Sequence, residues 1–152
     1  MKLIKIFPVL ISFLLAINTG TSAQCKAFAK NKCLPQLGEY THDGNYHAAV
    51  LTEGEEAELY KTFYSDMDYR MVVCGEDTIG KVSFRVLDAS GNTLFSNKDA
   101  NNSSFWDFKL QSSQQLKVVI KVNSSTRQGI TPTSGCVSIM FGFKFKKEKS
   151  QS

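Results

Sequence analysis

From residue 46 onward, apolar and polar side chains alternate with a period of two. A β-strand requires that spacing, because successive side chains point to opposite faces; a helix repeats its apolar positions every three to four residues. Tyr69, Met71 and Val73 alternate with Arg70, Val72 and Cys74, and Val82, Phe84 and Val86 with Ser83, Arg85 and Leu87. Trp106, Phe108 and Leu110 share one face, Asp107 and Lys109 the other. Leu116, Val118, Ile120 and Val122 oppose Lys117, Val119 and Lys121. Val137, Ile139, Phe141, Phe143 and Phe145 oppose Ser138, Met140, Gly142, Lys144 and Lys146. The pattern predicts strands over 46–51, 57–64, 69–74, 81–87, 93–96, 105–110, 116–122 and 136–146, with Asp88-Ala89-Ser90-Gly91-Asn92 as a tight turn.

Short strands at such spacing leave no room for the crossover helices that parallel pairs need. They predict a mainly β fold, an antiparallel β-sandwich in which each strand has one buried and one wet face. The expected core is Leu59, Phe63, Tyr69, Met71, Val73, Val82, Phe84, Val86, Trp106, Phe108, Leu110, Val118, Ile120, Ile139, Phe141 and Phe143. A length of 152 residues fits one domain, and 42% hydrophobic residues exclude a disordered chain.

Residues 1–23 read as a secretory signal. Lys2 and Lys5 precede an apolar run over 6–17, and Thr21-Ser22-Ala23 supplies the small residues that signal peptidase needs. The run is shorter than the roughly 20 residues of a membrane span. Gln24 before Cys25 argues against a lipidated cysteine. The expected divisions are a leader at 1–23, a helical segment and linker at 24–45, the sandwich at 46–146 and a basic, polar tail at 147–152. The formal charge of +4 falls to +2 once the leader's two lysines are removed. Lys144, Lys146, Lys147 and Lys149 carry the remaining excess and read as solvated. Neither nucleic acid nor an integral membrane protein after cleavage is expected.

Four cysteines, Cys25, Cys33, Cys74 and Cys136, predict two disulfides and no free thiol. Their spacing lacks any C-x-x-C of a zinc site. Cys25, Phe28, Ala29 and Cys33 fall near one helical face, and Pro35 should end that helix. Eight residues of helix would separate Cys25 from Cys33 by about 12 Å, beyond disulfide reach. A helix continuing through Cys33 would therefore send both N-terminal cysteines to the sandwich. Cys74 and Cys136 share the outer face and could also bond each other, so all three pairings stay open.

Catalytic groups are sparse. His42 and His47 read as loop histidines, and Glu53, Glu55, Glu56 and Glu58 as a solvated turn. Asp66 with Asp68, and Asp88 with Ser90 and Asn92, offer oxygen ligands that ordinary turn chemistry explains. No catalytic residue, cofactor or metal is expected. The sequons at Asn101, Asn102 and Asn123 mark surface loops. Phe105, on the parity opposite Trp106 and Phe108, is the best exposed ring, and with Tyr60 and Tyr64 it forms the candidate ligand-contact set.

The stretch 54–92 resembles the bacterial pre-peptidase C-terminal domain. The residues that carry the likeness are Gly54-Glu55-Glu56-Ala57-Glu58-Leu59-Tyr60-Lys61-Thr62-Phe63, Asp68-Tyr69-Arg70-Met71-Val72-Val73, Val82-Ser83-Phe84-Arg85-Val86-Leu87-Asp88 and Ser90-Gly91-Asn92. The mature chain is also similar to small secreted bacterial proteins of unassigned activity. The resemblance implies a jelly-roll-like sandwich that binds rather than catalyses. Four cysteines and the N-terminal helical segment depart from that family. The expected function is a secreted or periplasmic, non-catalytic interaction module acting on an extracytoplasmic protein. A carbohydrate-binding protein of the cell envelope is the alternative, and a hydrolase of undetected type the third reading.

Overall fold

The computed structural model describes residues 20–124 and 131–146. Most of the expected leader and the tail at 147–152 lie outside the described residues. Helix α1 (Gly20–Phe28) continues through a π-helical turn (Ala29–Cys33) into a 3-10 turn (Leu34–Leu37). Nine strands follow: β1 (Thr41–His42), β2 (His47–Thr52), β3 (Glu56–Phe63), β4 (Met67–Gly75), β5 (Val82–Leu87), β6 (Thr93–Ser96), β7 (Phe105–Lys109), β8 (Gln114–Val122) and β9 (Ser134–Phe145).

The strands form two antiparallel sheets. In the first, β1 and β2 both pair with β9, which is followed by β4 and β7. The second runs β3-β8-β5-β6. Every step along the strands except β1 to β2 and β5 to β6 crosses between the two sheets. The predicted strands are present within a few residues of their expected ends, and β1 is the added one.

The core between the sheets follows the alternation. Ten of the expected residues, including Phe63, Met71, Val86, Val118 and Phe141, are buried. Leu59, Val82, Trp106, Phe108, Leu110 and Phe143 pack against them from partly buried positions. Phe63 sits among the rings of Tyr69, Phe108 and Phe141, with centroids 4.9, 5.1 and 5.5 Å away. Phe145, of the same parity, is 69% exposed and packs edge-on to Phe143.

The expectation of one wet face per strand fails at β4 and β9. Val72, Cys74 and Met140, on the outer parity, are buried in a second cluster with Ala29, Cys33 and Leu37. The N-terminal segment supplies that lid. Pro35 does not end it, because a proline in the first turn of the 3-10 helix removes an N–H that needs no partner there. Gly142 lets the segment seat closely: a Cβ at this position would lie 2.7 Å from Tyr40 Cβ and 3.1 Å from Leu37 Cδ2.

Two disulfides hold the lid, Cys25–Cys136 (Cα–Cα 5.2 Å) and Cys33–Cys74 (5.9 Å). The helical path keeps Cys25 and Cys33 apart, so each bonds to the sheet. Cys74 lies opposite Ser138, which puts Cys136 on the diagonal. Diagonal neighbours stand about 7–8 Å apart, too far for an unstrained bridge.

Two of the C-terminal lysines read as solvated also have partners. Lys144 lies in β9 with its Nζ 2.9 Å from Glu39 Oε2, and Lys146 Nζ donates to the Ser65 carbonyl. Lys147 and Lys149 lie outside the described residues.

Non-reducing peptide mapping should recover the linked pairs Cys25–Cys136 and Cys33–Cys74 and no others. Replacing Cys33 and Cys74 together by alanine should lower unfolding stability in urea by about 2–4 kcal/mol.

Candidate functional site

Outward parity sets Arg70 on β4 directly opposite Asp107 on β7. The pair is bidentate: Nε donates to Oδ1 and Nη2 to Oδ2, both at 2.6 Å. Nη1 donates to the Gln36 carbonyl at 3.3 Å. Asp107 draws the Arg70 guanidinium pKa further above its ordinary value. Two rings flank the same guanidinium, Tyr40 at 4.9 Å and Phe105 at 4.6 Å from their centroids. Beyond Tyr40, Lys144 Nζ stands 4.5 Å from that ring's centroid. Phe105, Arg70, Tyr40 and Lys144 thus form a row of alternating rings and cations along the lid's edge. Glu39 and Asp107 neutralise the two cations. Rings and a fixed arginine are the side chains that concentrate binding energy at protein interfaces.

The candidate set from the sequence is not assembled into one site. Phe105, Tyr60 and Tyr64 are all exposed, at 41%, 55% and 54%. Phe105 faces outward from the first sheet, while Tyr60 faces outward from the second beside Lys117 and Glu58. Tyr64 stands past the end of β3, near Met67 and Phe143. Trp106 is stacked between Phe95 and Phe108, at 5.0 and 4.2 Å, as a core ring. Sequence reasoning missed Arg70, Tyr40 and Asp107. Parity already turned Arg70, Phe105 and Asp107 outward, but the pairing of β4 with β7 was the missing link.

A second cluster lies where β1 and β2 approach β3. The histidines, expected in loops, close β1 (His42) and open β2 (His47). Asp43 Oδ2 meets Lys61 Nζ at 2.8 Å, joining the two sheets at their edge. His42 Nε2 is 3.7 Å from Asp43 Oδ1, and the His47 ring packs edge-on against Phe141. Burial pushes the Asp43 carboxyl up, but Lys61 and the Asn45 N–H outweigh it and hold it below its ordinary value. Burial lowers the His47 imidazole pKa. Ser138 Oγ donates to the His47 carbonyl, not to its ring. This cluster therefore contains an imidazole and a carboxylate without a serine aligned to either.

Local bonds account for the acidic turns. Glu55 Oε2 accepts the Thr52 N–H at 2.7 Å. Asp88 accepts the N–H groups of Ser90 and Asn92 and the Asn92 side-chain amide. Among the described residues, no three His, Cys, Asp or Glu side chains are grouped to hold a metal ion.

No protein-family model matches the chain, and no curated protein matches it. Among solved structures it is similar to that of PliG from Aeromonas hydrophila, a periplasmic lysozyme inhibitor of g-type lysozyme. The TM-score is 0.51 at 8% identity, over 70% of this chain and 89% of that one. Likeness at this identity establishes the fold. The chain is a small disulfide-stapled β-sandwich of that architecture, with an ordered ring-and-cation row on one outer face.

The pKa directions predict acid sensitivity. A lowered His47 pKa means the unfolded chain binds its proton first, so stability falls as pH drops below about 6.5. The depressed Asp43 pKa contributes stability above about pH 4 that is lost in stronger acid. Urea midpoints at pH 7 and pH 5 should differ in the native protein and differ less in His47→Gln. Asp43→Asn should cost about 1 kcal/mol at pH 7.

Proposed function

We propose that the chain is a non-catalytic, extracytoplasmic protein-binding module that docks through the Phe105–Arg70–Tyr40–Lys144 row. The row is the observation that carries this reading. Arg70 is held by Asp107, Gln36 and two rings before any partner arrives, so its side chain has little rotamer freedom left to lose. Phe105 is the largest exposed ring beside it. The two disulfides and the leader at 1–23 support export to an oxidising compartment. Cleavage after Ala23 would leave Cys25 as the second residue of the mature protein. The likeness to a periplasmic inhibitor lends the same direction, because that protein acts by engaging another protein. No helix among the described residues is long and apolar enough to cross a membrane.

The test is saturable binding of the oxidised protein to a purified partner, with g-type lysozyme tried first and proteins cross-linked from the source envelope next. One partner should bind, and Phe105→Ala and Arg70→Ala should each weaken it by about tenfold or more. Tyr60→Ala, on the opposite face, should leave binding unchanged. Failure to find any partner, or a partner indifferent to Phe105 and Arg70, overturns the proposal.

A further inference from the structure

At the end of the sandwich where β4 gives way to β5 lies a recess of about 810 Å³, within the roughly 300–1,000 Å³ range of small-ligand sites. The chain segment 76–81, the turn at 102–104 and Phe28, Lys32 and Gln36 of the N-terminal segment all line it.

These walls are tied together. Gln36 Nε2 donates to Cys74 Sγ at 3.3 Å, and Gln36 Oε1 accepts the Ser104 hydroxyl at 2.9 Å. Buried Asn97 accepts the Phe84 N–H and donates to the Val82 carbonyl, anchoring the turn from below. Asn101 and Asn102 both adopt positive φ, +53° and +56°. Asparagine tolerates that region better than other non-glycine residues, so the pair suits this tight turn.

The chemistry of the lining narrows the ligand. Lys32 and Lys81 balance Glu76 and Asp77, so the recess has no net formal charge. Among the described residues, the side chains of Lys32, Lys81, Asp77 and Asn102 have no protein partner. The recess therefore offers both donors and acceptors with no net charge, beside the partly buried Phe28 and Val82. Hydroxyl groups satisfy both kinds of partner, and C–H faces cover apolar walls. Side-chain donors and acceptors such as those of Gln36, Thr78 and Asn102 suit the hydroxyl groups of a sugar. We propose that this recess binds a short neutral oligosaccharide, independently of the protein-docking row.

Amide NMR of the oxidised chain tests this, titrating maltotriose, cellotriose and triacetylchitotriose separately to about 10 mM. At least one should give saturable shifts at Thr78, Asn102 and Ser103. Asn102→Gly keeps the left-handed backbone and removes the side chain, and should weaken that sugar about threefold to tenfold. Thr78→Val provides a second variant of similar expected size. Phe105→Ala should leave sugar binding intact, which separates this site from the protein-docking row. The proposal is overturned if no trisaccharide shifts these amides, if both variants bind as the native chain does, or if neutral Ala-Gly-Ala produces the same saturable shifts.

Discussion

Docking of the N-terminal segment onto the outer face of β4 and β9 is the contact on which the rest of this molecule depends. It covers the middle of the outer face of that sheet, burying Val72, Cys74 and Met140 against Ala29, Cys33 and Leu37. The two disulfides make the arrangement difficult to undo, because each ties the segment to a different strand. In loop-closure terms both crosslinks enclose long stretches of chain, where the constraint on the unfolded state is greatest. The same segment supplies Tyr40 and the Gln36 carbonyl to Arg70, and Phe28, Lys32 and the Gln36 side chain to the recess. Neither feature would have its shape on a bare sandwich.

Much of the fold was legible because period-two patterning reports directly on which side chains share a core. Every one of the expected core residues belongs to the inter-sheet cluster, and the strand ends fall close to their expected places. Alternation was blind to a second layer. Val72 and Met140 are apolar residues on a parity read as wet, and their hydrophobicity was the available signal that something covers them. The cysteines were legible only in part. A helix from Cys25 to Cys33 argued against their mutual bond but left the pairings open, and it is the register of β4 and β9 that sets Cys74 and Cys136 on a diagonal and gives each helix cysteine a partner on the sheet.

The sites were less legible, for a physical reason. A surface row made of Phe105, Arg70 and Tyr40 draws on β7, β4 and the loop before β1, and their meeting depends on pairing between strands far apart in sequence. Local sequence carries parity but not register, so Phe105 could be recognised as outward and its neighbour could not. The resemblance to the pre-peptidase C-terminal domain implied the two-sheet architecture and nothing at the level of side chains. The Asp43–Lys61 pair illustrates the same limit. Lys61 has the inward parity of β3, an awkward place for an ammonium group, and only the approach of β1 from the other sheet provides its carboxylate.

Gln36 connects the two surfaces. Its main-chain carbonyl accepts from Arg70, while its side chain bridges Cys74 and Ser104, and Ser104 immediately precedes Phe105. The recess therefore opens beside the docking row rather than on a remote face. A protein seated over Phe105 and Arg70 would lie close to the mouth of the recess, and a sugar held by Asn102 would be within reach of such a partner. Shared positioning through one backbone and side chain does not by itself couple two binding events, since coupling needs states that each ligand favours differently. With a disulfide, a bidentate ion pair and a buried asparagine holding the walls, the structure offers little freedom for such alternatives. The physical expectation is two adjacent, pre-formed surfaces whose interaction, where both are occupied, is steric and electrostatic contact between the bound molecules themselves.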